Sequence, residues 1–88
     1  HQVSARMPYA TLQHLVERFG EDELIRLSDR AGSGAIDAGV VDGKLADADA
    51  EIDGYLAGRY TLPLATVPVA LRRIACDIAR YHLYDDRV

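Results

Sequence analysis

The turn at residues 29–40, DRAGSGAIDAGV, is the first place where residue types and spacing suggest chemistry. Laid on the twelve-position loop of a helix–loop–helix calcium site, Asp29 takes position 1, Ser33 position 5, Gly34 position 6, Ile36 position 8 and Asp37 position 9. Two other positions are wrong: position 3 is Ala31, and position 12, where a bidentate carboxylate belongs, is Val40. A calcium ion takes about six to eight oxygens, more than this loop offers. No metal site is therefore expected at Asp29, Ser33 and Asp37. The segment reads instead as a structural turn in which Gly34 permits the bend, Ile36 plugs the core and Asp37 caps the next helix.

A second group is ionic. Asp42, Asp47, Asp49, Glu51 and Asp53 stand against Lys44 alone, a net of −4 over residues 42–53. On a helix only residues three or four apart share a face, so Asp49 pairs with Asp53 and Asp47 with Glu51. No histidine accompanies them in that segment, which favours a solvated helix face over acid–base or metal chemistry. Farther on, Arg59, Arg72, Arg73 and Arg80 face only Asp77 between residues 59 and 80, a net of +3. Asp42, Asp49, Asp53, Arg59, Arg72, Arg73 and Arg80 are thus the candidate interface residues. Opposite charge on two segments suits self-association, and equally suits pairing between neighbouring helices of one subunit. Contact between the arginines and DNA is the weaker third possibility.

The remaining reactive side chains are isolated. His14 and His82 have no ligand partner at metal spacing and are expected at the surface or its boundary. Ser28 and Ser33 sit in no nucleophile elbow. Cys76, flanked by Ala75 and Ile78, reads as a buried inert thiol. Tyr55, Tyr60, Tyr81 and Tyr84 crowd the C-terminal half, as amphipathic edges of the core or, less favoured, as anchors for a partner. There is no glycine-rich phosphate loop. No catalytic residue, cofactor or enzymatic activity is expected.

Helices must carry these groups. Leu12, Leu15, Val16 and Phe19 recur at helical spacing over residues 11–19, with Thr11 as N-cap and Gly20 ending the helix in a left-handed conformation. A short helix over residues 21–28 follows, with Glu21, Asp22 and Glu23 in its first turn, where the helix dipole favours acids. The longest helix should run from the Asp37 cap to about Ala57, burying Val41, Leu45, Ala48, Ile52 and Tyr55 or Leu56. Gly39, Gly43 and Gly54 weaken it, in exchange for letting a neighbouring helix approach closely. Residues 58–67, GRYTLPLATV, read as extended, because Leu62 and Val67 precede prolines. The last helix opens at Thr66 or Val67, carries Pro68 in its first turn and runs to Tyr84. Leu71, Ile74, Ala75, Ile78 and Tyr81 or His82 form its expected face, with Arg73 and Asp77 as an i,i+4 pair.

The fold expected is all-α, a single small bundle of about four helices with the two long ones packed antiparallel. Residues 1–6 read as a non-native or disordered start, 7–84 as the helical domain, and 85–88 as a polar tail or the stump of a longer C-terminal extension. Composition sets the bounds: 49% hydrophobic and 27% charged residues exclude disorder, and a single cysteine excludes an intrachain disulfide. A net charge of −4 argues against nonspecific nucleic-acid binding. No apolar run is long enough for a membrane span, and residues 1–6 lack the apolar core of a secretory signal.

Taken together, MPYATLQHLVERFG, EDELIRLSDR, GSGAID, ADADAEIDGYLAGRYTLPL and VPVALRRIACDIARYHLY resemble the Mu-like prophage gene product 36 family, from Met7 to Tyr84. AEIDGYL and CDIARY are the most specific stretches. Members of that family often carry more carboxylates in the turn that here holds Ala31 and Ser33. The resemblance implies a virion-assembly protein of tailed phages and prophages, similar in helical pattern to head–tail connector (head-completion) subunits. It implies a homo-oligomeric ring beneath the portal, portal and tail proteins as partners, DNA passing nearby without specific binding, and no membrane association. Location in the virion, after assembly in the bacterial host cytoplasm, follows from the same likeness. The alternative is a metal-responsive or DNA-contacting helical module.

Overall fold

The computed structural model describes residues 8–60, 64 and 66–87. Their regular structure is entirely helical: α1 (Leu12–Phe19), α2 (Glu21–Ser28), α3 (Ala38–Leu56) and α4 (Val69–Arg87). Of the stretch expected to be extended, residues 61–63 and 65 lie outside the described residues, as do residues 1–7 and Val88.

α1 starts with a reciprocal cap. Thr11 Oγ1 accepts from the His14 backbone N–H, and His14 Nδ1 accepts from the Thr11 N–H at 3.0 Å. Gly20 ends α1, but not in the left-handed helical conformation: φ is +91° and ψ 151°. This extended region of positive φ is open essentially to glycine alone. The reason for the difference is a double duty. Gly20 N–H closes α1 on the Val16 carbonyl, while its own carbonyl accepts from Leu24 and opens α2. One residue thus reverses the chain between two helices too short to persist alone.

The turn after α2 is built on one carboxylate. Asp29 accepts from Ser33 N–H at 2.9 Å, from Ser33 Oγ at 3.1 Å and from Gly34 N–H at 2.6 Å. Gly32 and Gly34 supply the positive φ the loop needs. Asp37 caps α3 by accepting from Val40 N–H, and its own N–H donates to the buried Ser28 hydroxyl at 3.0 Å.

α3 and α4 make the most extensive contact in the bundle and run antiparallel: Lys44 early in α3 meets Asp86 late in α4, and Glu51 meets His82. α3 buries Val41, Leu45, Ala48 and Ile52, as its seam predicts; Leu56 packs half-buried, while Tyr55 is 82% exposed. Gly43 and Gly54 face open space, where an added Cβ would meet nothing within 4 Å. Close packing inside the subunit therefore does not account for them.

α4 departs most from expectation. Ala75 of the expected face and Cys76 are buried as read, but with Ala79 and Leu83 rather than with the rest of that face: Ile74 and Tyr81 are exposed and Leu71 and Ile78 only partly covered. The helix is turned about a quarter-turn from the expected face, because Ala75, Cys76 and Ala79 are small enough for three other helices to close over them. It opens later than expected, with the Pro68 carbonyl accepting from Leu71 and Arg72 ahead of the first helical residue, Val69. It also continues to Arg87 rather than stopping at Tyr84 before a tail. Arg30 and Lys44 both bind the Asp86 carboxylate, at 3.0 and 3.2 Å, and hold that last turn down.

Candidate functional site

The ionic side chains decide what this surface can do. Five cations are ion-paired inside the subunit, on three carboxylates: Arg18 with Asp77, Arg26 and Arg80 with Glu23, and Arg30 and Lys44 with Asp86. Arg80 directs Nε and a terminal nitrogen onto one Glu23 oxygen, at 2.9 and 2.6 Å. The hydrogen bond from Arg26, then that from Arg80, holds the Glu23 carboxyl below the usual carboxylate range. Phe19 anchors this corner, with the Arg18 and Arg80 guanidinium carbons 5.3 and 5.2 Å from its ring centre.

These pairs revise the expected ones. Asp77 binds Arg18 of α1, 59 residues away, not Arg73 of its own helix. Arg80 reaches α2, so it leaves the candidate interface. Asp49 and Asp53 are not a solvated face: Asp49 accepts from the Tyr9 backbone N–H at 3.2 Å and Asp53 from the Tyr9 hydroxyl at 2.5 Å. They clamp the segment before α1 onto α3, with Tyr9 only 3% exposed. The four C-terminal tyrosines are not core edges either; Tyr55, Tyr60, Tyr81 and Tyr84 are all more than half exposed. His82 hydrogen-bonds Glu51 across the α3–α4 seam. Neither that pair nor Tyr9's place in the core was signalled by spacing, because each joins residues more than 30 positions apart.

Arg59, Arg72 and Arg73 remain. Among the described residues no carboxylate lies within 4 Å of any of them. Arg72 and Arg73 line an open cleft of about 360 Å³ between α1 and the first turns of α4, with His14, Glu17, Arg18 and Cys76. Glu17 supplies the cleft's negative charge and is held by Gln13 at 3.2 Å. The counterparts lie toward the other end. Asp42 and Asp47 are exposed on the outer side of α3 and have no ion pair among the described residues. With α3 and α4 antiparallel, the first half of α3 and the first turns of α4 are about 20 Å apart at 1.5 Å per residue.

The glycine turn has no donor set for a cation. Both Asp29 oxygens accept from Ser33 and Gly34, and those bonds, Ser33's first, keep its carboxyl below the ordinary range. No group of three His, Cys, Asp or Glu among the described residues could hold a metal ion. Cys76 is 1% exposed, and burial pushes its thiol up, as befits an inert packing residue. Thr11 and His14 touch, but as a helix cap with both groups committed to backbone. Among the described residues no helix is long and apolar enough to cross a membrane.

An apolar hollow of about 480 Å³ lies where the long helices join, between Leu56, Tyr60, Leu64, Pro68 and Leu71. Among the described residues it is lined by no charged side chain. What the surface offers chemically is therefore separated charge and exposed aromatics, the equipment of a protein–protein contact.

The family model described as Bacteriophage Mu, Gp36 matches residues 9–88. The Mu-like prophage FluMu protein gp36 of Haemophilus influenzae is 40% identical over 79 residues, 90% of this chain and 56% of that protein. Gene product J of Escherichia phage Mu is 40% identical over 82 residues, 92% of this chain and 58% of its own length. The chain thus spans a little over half the length of these curated relatives.

Proposed function

The chain belongs to the Bacteriophage Mu Gp36 family, and from that membership we propose that it is a structural subunit of a phage or prophage head–tail connector. It acts by protein–protein assembly at the portal vertex, in several copies, and resides in the virion after assembly in the host cytoplasm. The family match supports the phage origin, and one observation carries the assembly role: Arg72 and Arg73, with Asp42 and Asp47 toward the far end of the subunit, have no ionic partner among the described residues. A closed monomer gains nothing from charges it cannot bring together, whereas a repeating contact between neighbours uses both.

Portal and tail proteins are the partners this role requires, with DNA passing through the assembly without sequence-specific contact. Deletion of the gene from an inducible prophage tests it. The expected result is a lysate of filled heads and separate tails that do not join, restored by the gene in trans. Intact joined particles from the deletion strain would contradict the role.

A further inference from the structure

We propose that the cleft between α1 and the first turns of α4 is the docking site for the acidic outer side of α3 in a second copy of the chain, Arg72 and Arg73 meeting Asp42 and Asp47. The inference rests on the assembly reading above and names its contact. Every other cation whose side chain is described, Arg59 aside, is ion-paired within the subunit, so Arg72 and Arg73 are adjacent cations free to meet a partner's carboxylates. The matching negative charge sits on the chain itself, too far away to be reached within one copy. On α3, Gly43 and Ala46 lie between Asp42 and Asp47, which flank the outer side about 140° apart around the helix, and Gly43 has open space where a Cβ would stand. Because the two surfaces differ, the contact is head-to-tail, and repetition gives a ring or an open helix according to the angle between copies. Duplex DNA is a poorer occupant, since a chain of net charge −4 repels phosphate at long range.

Two purified charge-reversed chains test the contact. Arg72→Glu with Arg73→Glu makes both surfaces negative; Asp42→Arg with Asp47→Arg makes both positive. All four sites are exposed or half-buried, and unchanged circular dichroism and melting establish that the variants fold. Sedimentation velocity at low salt should show each variant alone as a monomer. Their equimolar mixture should form species of at least twice the monomer mass, dispersed by high salt. A mixture no heavier than its components at several hundred micromolar overturns the contact. So does equal association when the arginine variant is mixed with a chain carrying Glu21→Arg and Asp22→Arg on the same Arg72→Glu, Arg73→Glu background, since attraction would then be indifferent to place. A duplex-DNA mobility shift that the arginine variant abolishes, with no association in the mixture, overturns it in favour of phosphate. None of these readouts involves particles, so failure here is distinct from failure of the connector role.

Discussion

Gly20 and Tyr9 show how much rests on single residues. Gly20→Ala forces a side chain into a backbone region reserved for glycine, although space for the Cβ is open. The expected loss is about 1–3 kcal/mol in a urea melt; a change within experimental error would mean the α1–α2 reversal relaxes freely. Tyr9→Phe removes the hydroxyl that donates to Asp53, with an expected cost of about 1.5 kcal/mol for a hydrogen bond to a charged acceptor. At this scale the sequence was legible where the partner is local. Thr11, Asp37 and the Asp29 turn bond within five residues, so the cap and turn rules find them. The Tyr9 clamp, Arg18–Asp77 and Arg80–Glu23 cross at least 40 positions, and no spacing rule connects them.

Residue-level titration also has a sign. Glu23 and Asp29 have lowered carboxyl pKa values in the folded chain, so their contribution is present above the ordinary carboxylate range and is lost as pH falls through the lowered values. Melting temperature should therefore drop on acidification below about pH 4. Glu23→Gln, which keeps the shape and removes the charge, should lower the neutral-pH melting temperature and flatten that acid limb. An acid limb unchanged in the variant would mean the Arg26 and Arg80 contacts do not persist in solution.

At the scale of elements, α4 is the instructive case. Its sequence holds two overlapping apolar stripes: the expected one of Leu71, Ile74, Ala75, Ile78 and Tyr81 or His82, and the buried one of Ala75, Cys76, Ala79 and Leu83, with Ala75 common to both. Pattern alone favours the bulkier stripe. The bundle buries the smaller one, because helices closing from α1, α2 and α3 need short side chains between them. α3 has one apolar stripe, since its outer side is alanine, glycine and aspartate, and its buried face was legible in full up to Ile52. Truncations separate the two stripes of α4. Leu83→Ala should cost about 2–5 kcal/mol, whereas Ile74→Ala should stay within about 0.5 kcal/mol in the isolated chain. Equal losses would mean that Ile74 is buried and the orientation of α4 is wrong.

For the whole molecule, the all-α class, the four helices and the antiparallel pairing of the long ones follow from helical periodicity and short connections. The surface was legible only as two oppositely charged segments. Which charges cancel inside the subunit depends on how α1 and α2 lie across α4, and that is fixed by packing rather than by local pattern. Folding removes Arg80, Asp49 and Asp53 from the candidate surface and leaves Asp42, Arg59, Arg72 and Arg73; the exposed Asp47, which was not among the candidates, joins them as a charge with no ion pair among the described residues. The most direct measurement is a cryo-EM reconstruction of the neck of intact particles from the cognate phage or induced prophage. The account predicts repeated copies of this four-helix domain between portal and tail, the α4 arginine side of each against the α3 aspartate side of the next. A neck fully built from other proteins, with no density for this bundle, would contradict it.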